Sequence, residues 1–241
     1  MKSIKSQSYK NIELIVVDRD STDETKNIAK KYTDKVFNQG PERSAQRNFG
    51  ARQARGEFLL IHDSDVYFNI DSVKECVELS EKEGSDAVIL PEKSVGIGFW
   101  AKVKAFERSF YVGSDLIEAA RFFRKNTFLS IGGYDENLYA GEDWDLAIRF
   151  RENGCKIARA SIFIEHDEGK MDLLGSSKKK KYYSTNFYEI YAKKHPEEFK
   201  KQMSPLYRFP INRVIRKGLR HPILLSCMIV MKGLEYINSK K

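Results

Sequence analysis

Three short apolar runs punctuate the first ninety residues: IELIVV (12–17), EFLLIH (57–62) and DAVIL (86–90). Short apolar runs of this length read as strands, and IELIVV, rich in β-branched residues, as a buried one. Helix signals fall between them. STDET (21–25) opens a helix to about Tyr32, with Ser21 as N-cap and Glu24 three residues later completing a capping box. SAQRNFGARQA (44–54) reads as a helix closed by Gly56, and 71–83 as an amphipathic helix, with KVFN (35–38) a further short strand. Strand alternating with helix predicts a mostly parallel sheet flanked by helices. Beyond Leu90 the pattern is less regular. ARFFRK (120–125) reads as a strand, 132–143 as a turn-rich loop, and DWDLAIRFREN (143–153) as a helix ended by Gly154. CKIARA and SIFIEH (155–166) read as two more strands. From Asp172 onward the pattern is helical, rich in lysine and tyrosine.

The 241 residues suffice for one large α/β domain, or one domain with a small appendage. A soft boundary near Glu168 to Ser177 divides the chain into 1–170 and a helical, basic extension, 171–241. Charged residues make up 32% and hydrophobic residues 41%, which excludes a disordered chain. The net charge of +8 suits a phosphorylated ligand, an anionic membrane surface or nucleic acid. No zinc-finger or RNP-like motif accompanies it, which argues against nucleic acid. Cys76, Cys155 and Cys227 are scattered and form no CxxC pair. That argues against a disulfide framework and points to a reducing, cytoplasmic compartment. MKSIKSQSYKNIE has no apolar signal-peptide core. The longest apolar run, ILLSCMIVM (223–231), is about half of the ~20 residues a membrane span needs.

In open α/β sheets ligands bind at the carboxyl ends of strands. Asp18 follows the first strand, Asp63-Ser64-Asp65 follows LLIH, and His166 ends SIFIEH. These groups are therefore expected along one sheet edge. Two carboxylates one residue apart grip a hard divalent cation, or they make the local hydrogen bonds of an ordinary turn. Asp18/Asp20 and Asp143/Asp145 repeat the spacing, so the triplet alone is weak. Glu142 and Asp143 open a helix. They either cap it or supply a general base whose ionised form the helix terminus favours. His166 is a structural histidine or a metal ligand. Arg43, Arg47 and Arg52 either line a solvated helix or face a diphosphate.

SQSYKNIELIVVDRDSTDET, ERSAQRNFGARQARGEFLLIHDSDV and FFRKNTFLSIGGYDENLYAGEDWDLAIRF, in that order, resemble the family-2 glycosyltransferases of GT-A fold over roughly residues 1–168. The resemblance implies a Rossmann-like, GT-A-type α/β fold. It implies that Asp18 binds the nucleoside and that Asp63 and Asp65 bind the metal–diphosphate, with Mg2+ or Mn2+ as cofactor. Asp143 would be the catalytic base, and His166 would complete the metal site. Asp20, Arg47, Glu142 and Trp144 join the expected nucleotide-sugar site, Trp144 stacking on a sugar ring or packing under its helix. Family members usually carry an apolar strand about thirty residues ahead of SQSYKN, so the chain is expected to lack that first strand. Asp20 stands where many relatives have glycine, and Arg19 where many have a second acid.

The implied reaction moves a sugar from a nucleoside diphosphate sugar to a hydroxyl of a glycan or lipid-linked acceptor, with inversion. KKKKYY (178–183) and the basic, apolar stretch 208–237 fit a segment lying on an anionic inner membrane surface, or a helix packed on the domain with a solvated basic face. Three alternatives stand beside this. One is a retaining transferase. Another is a sugar-nucleotide-forming enzyme, which usually carries a Gly-rich N-terminal loop not found here. The third is an inactive relative that binds nucleotide sugar or membrane without catalysis.

Overall fold

The computed structural model describes residues 1–171 and 187–239, with side chains to Glu235. In chain order the elements are α1 (Lys2–Lys5), β1 (Val16–Asp18), α2 (Thr25–Lys30), β2 (Val36–Asn38), α3 (Arg43–Gln53), β3 (Phe58–Leu60), β4 (Val66–Tyr67) and α4 (Ser72–Glu83). Then follow β5 (Ala87–Ile89), β6 (Glu92–Ile97), α5 (Phe99–Arg108), β7 (Ala120–Arg124), α6 (Lys125–Ser130), α7 (Glu142–Glu152), β8 (Ile157–Arg159) and β9 (Ile164–Lys170). A π-helical turn, Phe187–Tyr191, leads into α8 (Ala192–Lys194), α9 (Pro196–Met203), α10 (Pro205–Arg208), α11 (Ile211–Arg220) and α12 (Pro222–Ser239). The expected basic run KKKKYY lies outside the described residues.

The chain divides into two units that interleave in sequence. The first comprises Met1–Ser64, Phe68–Pro91 and Ala119–Ile164. The second comprises Asp65–Tyr67, Glu92–Glu118 and the chain from Glu165.

The first unit holds a four-stranded sheet in the order β3-β7-β5-β8 and a parallel pair, β1-β2. The four-stranded sheet is mixed where a mostly parallel one was expected. β7 runs antiparallel to both β3 and β5, whereas β5 and β8 are parallel. Strand–helix alternation dictates direction only for strands joined by a crossover, so β3, β5 and β8 share a direction and β7 is inserted against them. β5 and β7 are central and buried, and β5 reads as a continuous apolar run because both its faces are covered. Leu59, Ile89, Phe123, Phe128, Leu146 and Phe150 form the core on them. Each such side chain stabilises the fold by roughly 1.5–3 kcal/mol through burial.

The second unit pairs β4, β9 and β6 in one sheet. Val103, Phe106, Phe110, Met228 and Met231 make its core, where α5 meets α12. Neither β6 nor α5 was anticipated from the sequence. α5 nonetheless carries a helical signal, Trp100/Val103/Phe106.

Two local expectations are corrected. Ser21 does not cap a helix. Its hydroxyl donates to Asp18 Oδ1 at 2.6 Å and its N–H to Asp18 Oδ2 at 2.8 Å, and the helix begins at Thr25 instead. The Asp18 carboxylate has taken both donors. His166 does not end its strand. It sits inside β9, opposite Val66, and β9 belongs to a different sheet from β1 and β3. The groups expected on one sheet edge thus come from three sheets.

Candidate functional site

In the first unit, Arg47 is the hub. It sits mid-helix in α3 and is buried. Burying a guanidinium is expensive unless it is paired and hydrogen-bonded. Here it is paired three times. One terminal nitrogen donates to Glu142 Oε1 at 3.2 Å and to Asp143 Oδ1 at 3.3 Å, and the other to Asp63 Oδ1 at 2.8 Å. Its guanidinium carbon also lies 5.1 Å from the centre of the Tyr134 ring, a cation–π arrangement. Arg43 adds a second cation to Glu142 at 3.2 Å, and Arg121 lies 3.9 Å from Asp143 Oδ2. Three arginines therefore surround three carboxylates, tying the end of β3 to the start of α7.

Local sequence builds α7 to receive them. Gly141 takes φ +80, and Glu142, Asp143 and Asp145 fill the first turn, where the helix dipole favours negative charge. Asp145 is wholly buried and serves structure. It accepts from Arg149, which in turn donates to the carbonyls of Ile131 and Gly133. Asp143 is partly open to solvent, and Trp144 beside it is half-buried. Burial, and then the charge of Asp143, push Glu142 up to about 7 against the pull of Arg43 and Arg47. Burial also acts to raise Asp63, but Arg47 and Arg121 outweigh it and hold the carboxyl at about 2.

Asp18 is buried at the end of β1. Burial raises its pKa, but the Ser21 hydrogen bonds bring it below the ordinary carboxylate value. Asp20 is exposed and takes φ +52, the left-handed backbone glycine adopts freely, at the position where the family resemblance places glycine. Lys26 at 3.0 Å and Asn38 at 3.2 Å hold its carboxylate. His62, from the stretch that precedes the acidic triplet, is structural. It packs edge-on against Phe68 and its Nδ1 lies 2.7 Å from the Asp63 carbonyl oxygen.

In the second unit, the pairing of β4 with β9 sets Val66 opposite His166. Asp65 Oδ2 then lies 3.3 Å from His166 Nε2, while Glu92 Oε2 of β6 lies 3.3 Å from Nδ1. The hydrogen bond to Glu92 raises the His166 pKa, against burial. Among the described residues no three His, Cys, Asp or Glu side chains converge as a metal cage. The donors that do meet, a carboxylate and an imidazole, are types that Mn2+ accepts, and Mg2+ and Mn2+ sites commonly take only one or two carboxylates from the protein beside substrate phosphates. The pair fits such an ion, with Glu92 behind the imidazole as the carboxylate that orients it. Glu92 and Arg121 were not singled out from sequence. Glu92 lies 74 residues from His166, and only the strand order β4-β9-β6 brings them together. An arginine inside the strand ARFFR, ahead of the one at its end, was the one available signal for Arg121.

A sequence model described as Glycosyl transferase family 2 matches residues 1–134. The chain is 27% identical over 183 residues to an uncharacterized glycosyltransferase of Rickettsia typhi, covering 68% of this chain and 55% of that one. It is 35% identical over 214 residues to the GalNAc(5)-diNAcBac-PP-undecaprenol β-1,3-glucosyltransferase of Campylobacter jejuni, covering 79% of this chain and 65% of that one. The match thus spans little more than half of the Rickettsia relative's length. Among solved structures, the mannosyltransferase PcManGT of Pyrobaculum calidifontis, in complex with GDP-Man and Mn2+, superposes with a TM-score of 0.65 at 15% identity, over 99% of this chain and 81% of that one. TarS of Staphylococcus aureus, in complex with UDP, does so with a TM-score of 0.57 at 17% identity, over 99% and 83%. These likenesses bear out the GT-A-type α/β fold with its C-terminal helices. With residues 1–134 of 241 matched by the family model, the chain belongs to glycosyl transferase family 2.

Proposed function

We propose that this chain transfers a sugar from a nucleoside diphosphate sugar to an acceptor hydroxyl, with inversion and with Asp143 as general base. The observation that carries this reading is the buried Arg47, which clamps a partly solvent-facing Asp143 at a helix N-terminus. A base must be held in place while one side of it stays open to the incoming hydroxyl. In the step, the acceptor oxygen bonds to the anomeric carbon as the bond to the diphosphate oxygen breaks. The acceptor proton goes to the Asp143 carboxylate, and the nucleoside diphosphate leaves with its electron pair.

Asp18 and Asp20 are assigned to the nucleoside, Arg47 and Glu142 to holding the site, and Trp144 to the sugar ring. Asp65 and His166, with Asp63 two positions earlier in the chain, would hold Mg2+ or Mn2+, which when bound neutralises charge on the leaving diphosphate. The GDP-Man and Mn2+ bound to the mannosyltransferase and the UDP-GlcNAc bound to TarS support a donor of this class. The lipid-linked substrate named for the Campylobacter relative supports a lipid-linked or glycan acceptor. Residues 1–170 would be the transferase domain, and 171–241 a basic extension working at the cytoplasmic membrane face.

The test is release of nucleoside diphosphate from UDP- and GDP-sugars with Mn2+, with water as acceptor in single-turnover experiments. Asp143→Asn should keep donor affinity and slow release by about 10²–10⁴. Equal release by the variant would refute the base assignment. Donor binding without release by the wild type would favour a non-catalytic relative.

A further inference from the structure

We propose that the outer face of α11, continued into α12, docks on an anionic lipid surface. The proposal takes the membrane partner of the reading above to particular residues. Ile211, Ile215 and Leu219 recur every four residues along α11, and Ile223, in the first turn of α12, is exposed as well. They are 63%, 58%, 81% and 70% exposed. An amphipathic helix ordinarily turns such a row toward its own core. α11 instead packs inward through Val214 and the buried Gly218, where a Cβ would come within 2.5 Å of Leu225. Its two inner bases are spent on the protein: Arg213 donates to the carbonyls of Phe110 and Val112, and Lys217 to that of Ser109. Arg216 and Arg220 are exposed beside the apolar row.

An apolar row edged by arginine is the pattern of a helix lying in the headgroup region of a bilayer. Charge selects the occupant. From Phe199 to Leu234 the sequence contains no aspartate or glutamate. A second copy seated on this face would bring like charge against like, whereas an anionic surface complements it. Among the described residues no helix is long and apolar enough to cross a membrane, so the helix lies on the bilayer rather than through it.

The experiment is flotation of the full chain with phosphatidylcholine vesicles, with and without phosphatidylglycerol, at low and high salt. The wild type should float with the anionic vesicles and lose binding as salt rises. Arg216→Gln/Arg220→Gln should weaken binding by about thirtyfold. Ile215→Glu/Leu219→Glu should abolish flotation. All these positions are exposed, so thermal melting should be unchanged. Failure of the wild type to float, equal and salt-insensitive binding to neutral vesicles, or wild-type binding by the variants would overturn the proposal. So would a concentration-dependent dimer in sedimentation velocity that Ile215→Glu/Leu219→Glu dissolves, which would make a second copy the occupant. Donor titration on the same samples separates these outcomes from failure of the transferase reading.

Discussion

Arg47 touches three carboxylates, and with Arg121 it holds one of them, Asp63, at about 2. Glu142, more deeply buried and next to Asp143, is pushed the other way. The same cation thus serves two acids in opposite regimes, and burial decides which. Removing it leaves buried charge uncompensated. Arg47→Met should destabilise the fold by about 3–5 kcal/mol at neutral pH, read from urea unfolding. The pH dependence gives a second check. A carboxylate with a depressed native pKa contributes stability above its unfolded value of about 4, and that contribution is lost as pH falls toward about 2. The wild type should show that acid limb, and Arg47→Met should lose most of it. An unchanged limb would place the stabilisation of Asp63 elsewhere.

Among elements, α3 and the turn before α7 depend on each other. Asn48 donates to the Tyr134 carbonyl at 2.8 Å and accepts from the Tyr134 N–H at 2.8 Å. Gly133 takes φ +66 against it, and a Cβ there would meet Asn48 Oδ1 at 2.5 Å. Asn48→Ala would leave both backbone groups of Tyr134 buried without this partner, costing roughly 2–3 kcal/mol in urea unfolding. A cost under about 0.5 kcal/mol would mean that the turn is held by other contacts. This tie was invisible in the sequence, where Asn48 reads as one more polar residue on a helix. What periodicity encodes was legible: α4, α7 and the buried strand β5 lie within a residue or so of their expected bounds. What depends on long-range pairing was not. The insertion of β7 against its neighbours and the Glu92–His166 contact join residues that no local pattern relates, whereas the competition of Asp18 for Ser21 is a local turn that the capping-box reading passed over. Asp63, Asp65, Asp143 and His166 were singled out by their places at strand ends and a helix start, and the family resemblance supplied their expected roles. Arg47 was named too, as lining a solvated helix or facing a diphosphate; its pairing with Asp63 and Asp143, and the presence of Arg121 beside them, required the structure.

At the scale of the whole chain, the interleaved units have a chemical consequence. The division falls between Ser64 and Asp65, inside the acidic triplet. Asp63 is bound up with Arg47 in the first unit, while Asp65 meets His166 in the second. The net charge of +8 suits a diphosphate donor and an anionic surface alike. Lipid flotation reads the second of these, and only donor binding reads the first. The most direct measurement is calorimetric titration of UDP- and GDP-sugars into the wild type and Asp65→Ala, with and without Mn2+. The expected result is binding of one donor class that requires Mn2+ and is lost in the variant while melting is unchanged. Donor binding that ignores both Mn2+ and Asp65, or no binding by a folded wild type, would contradict it.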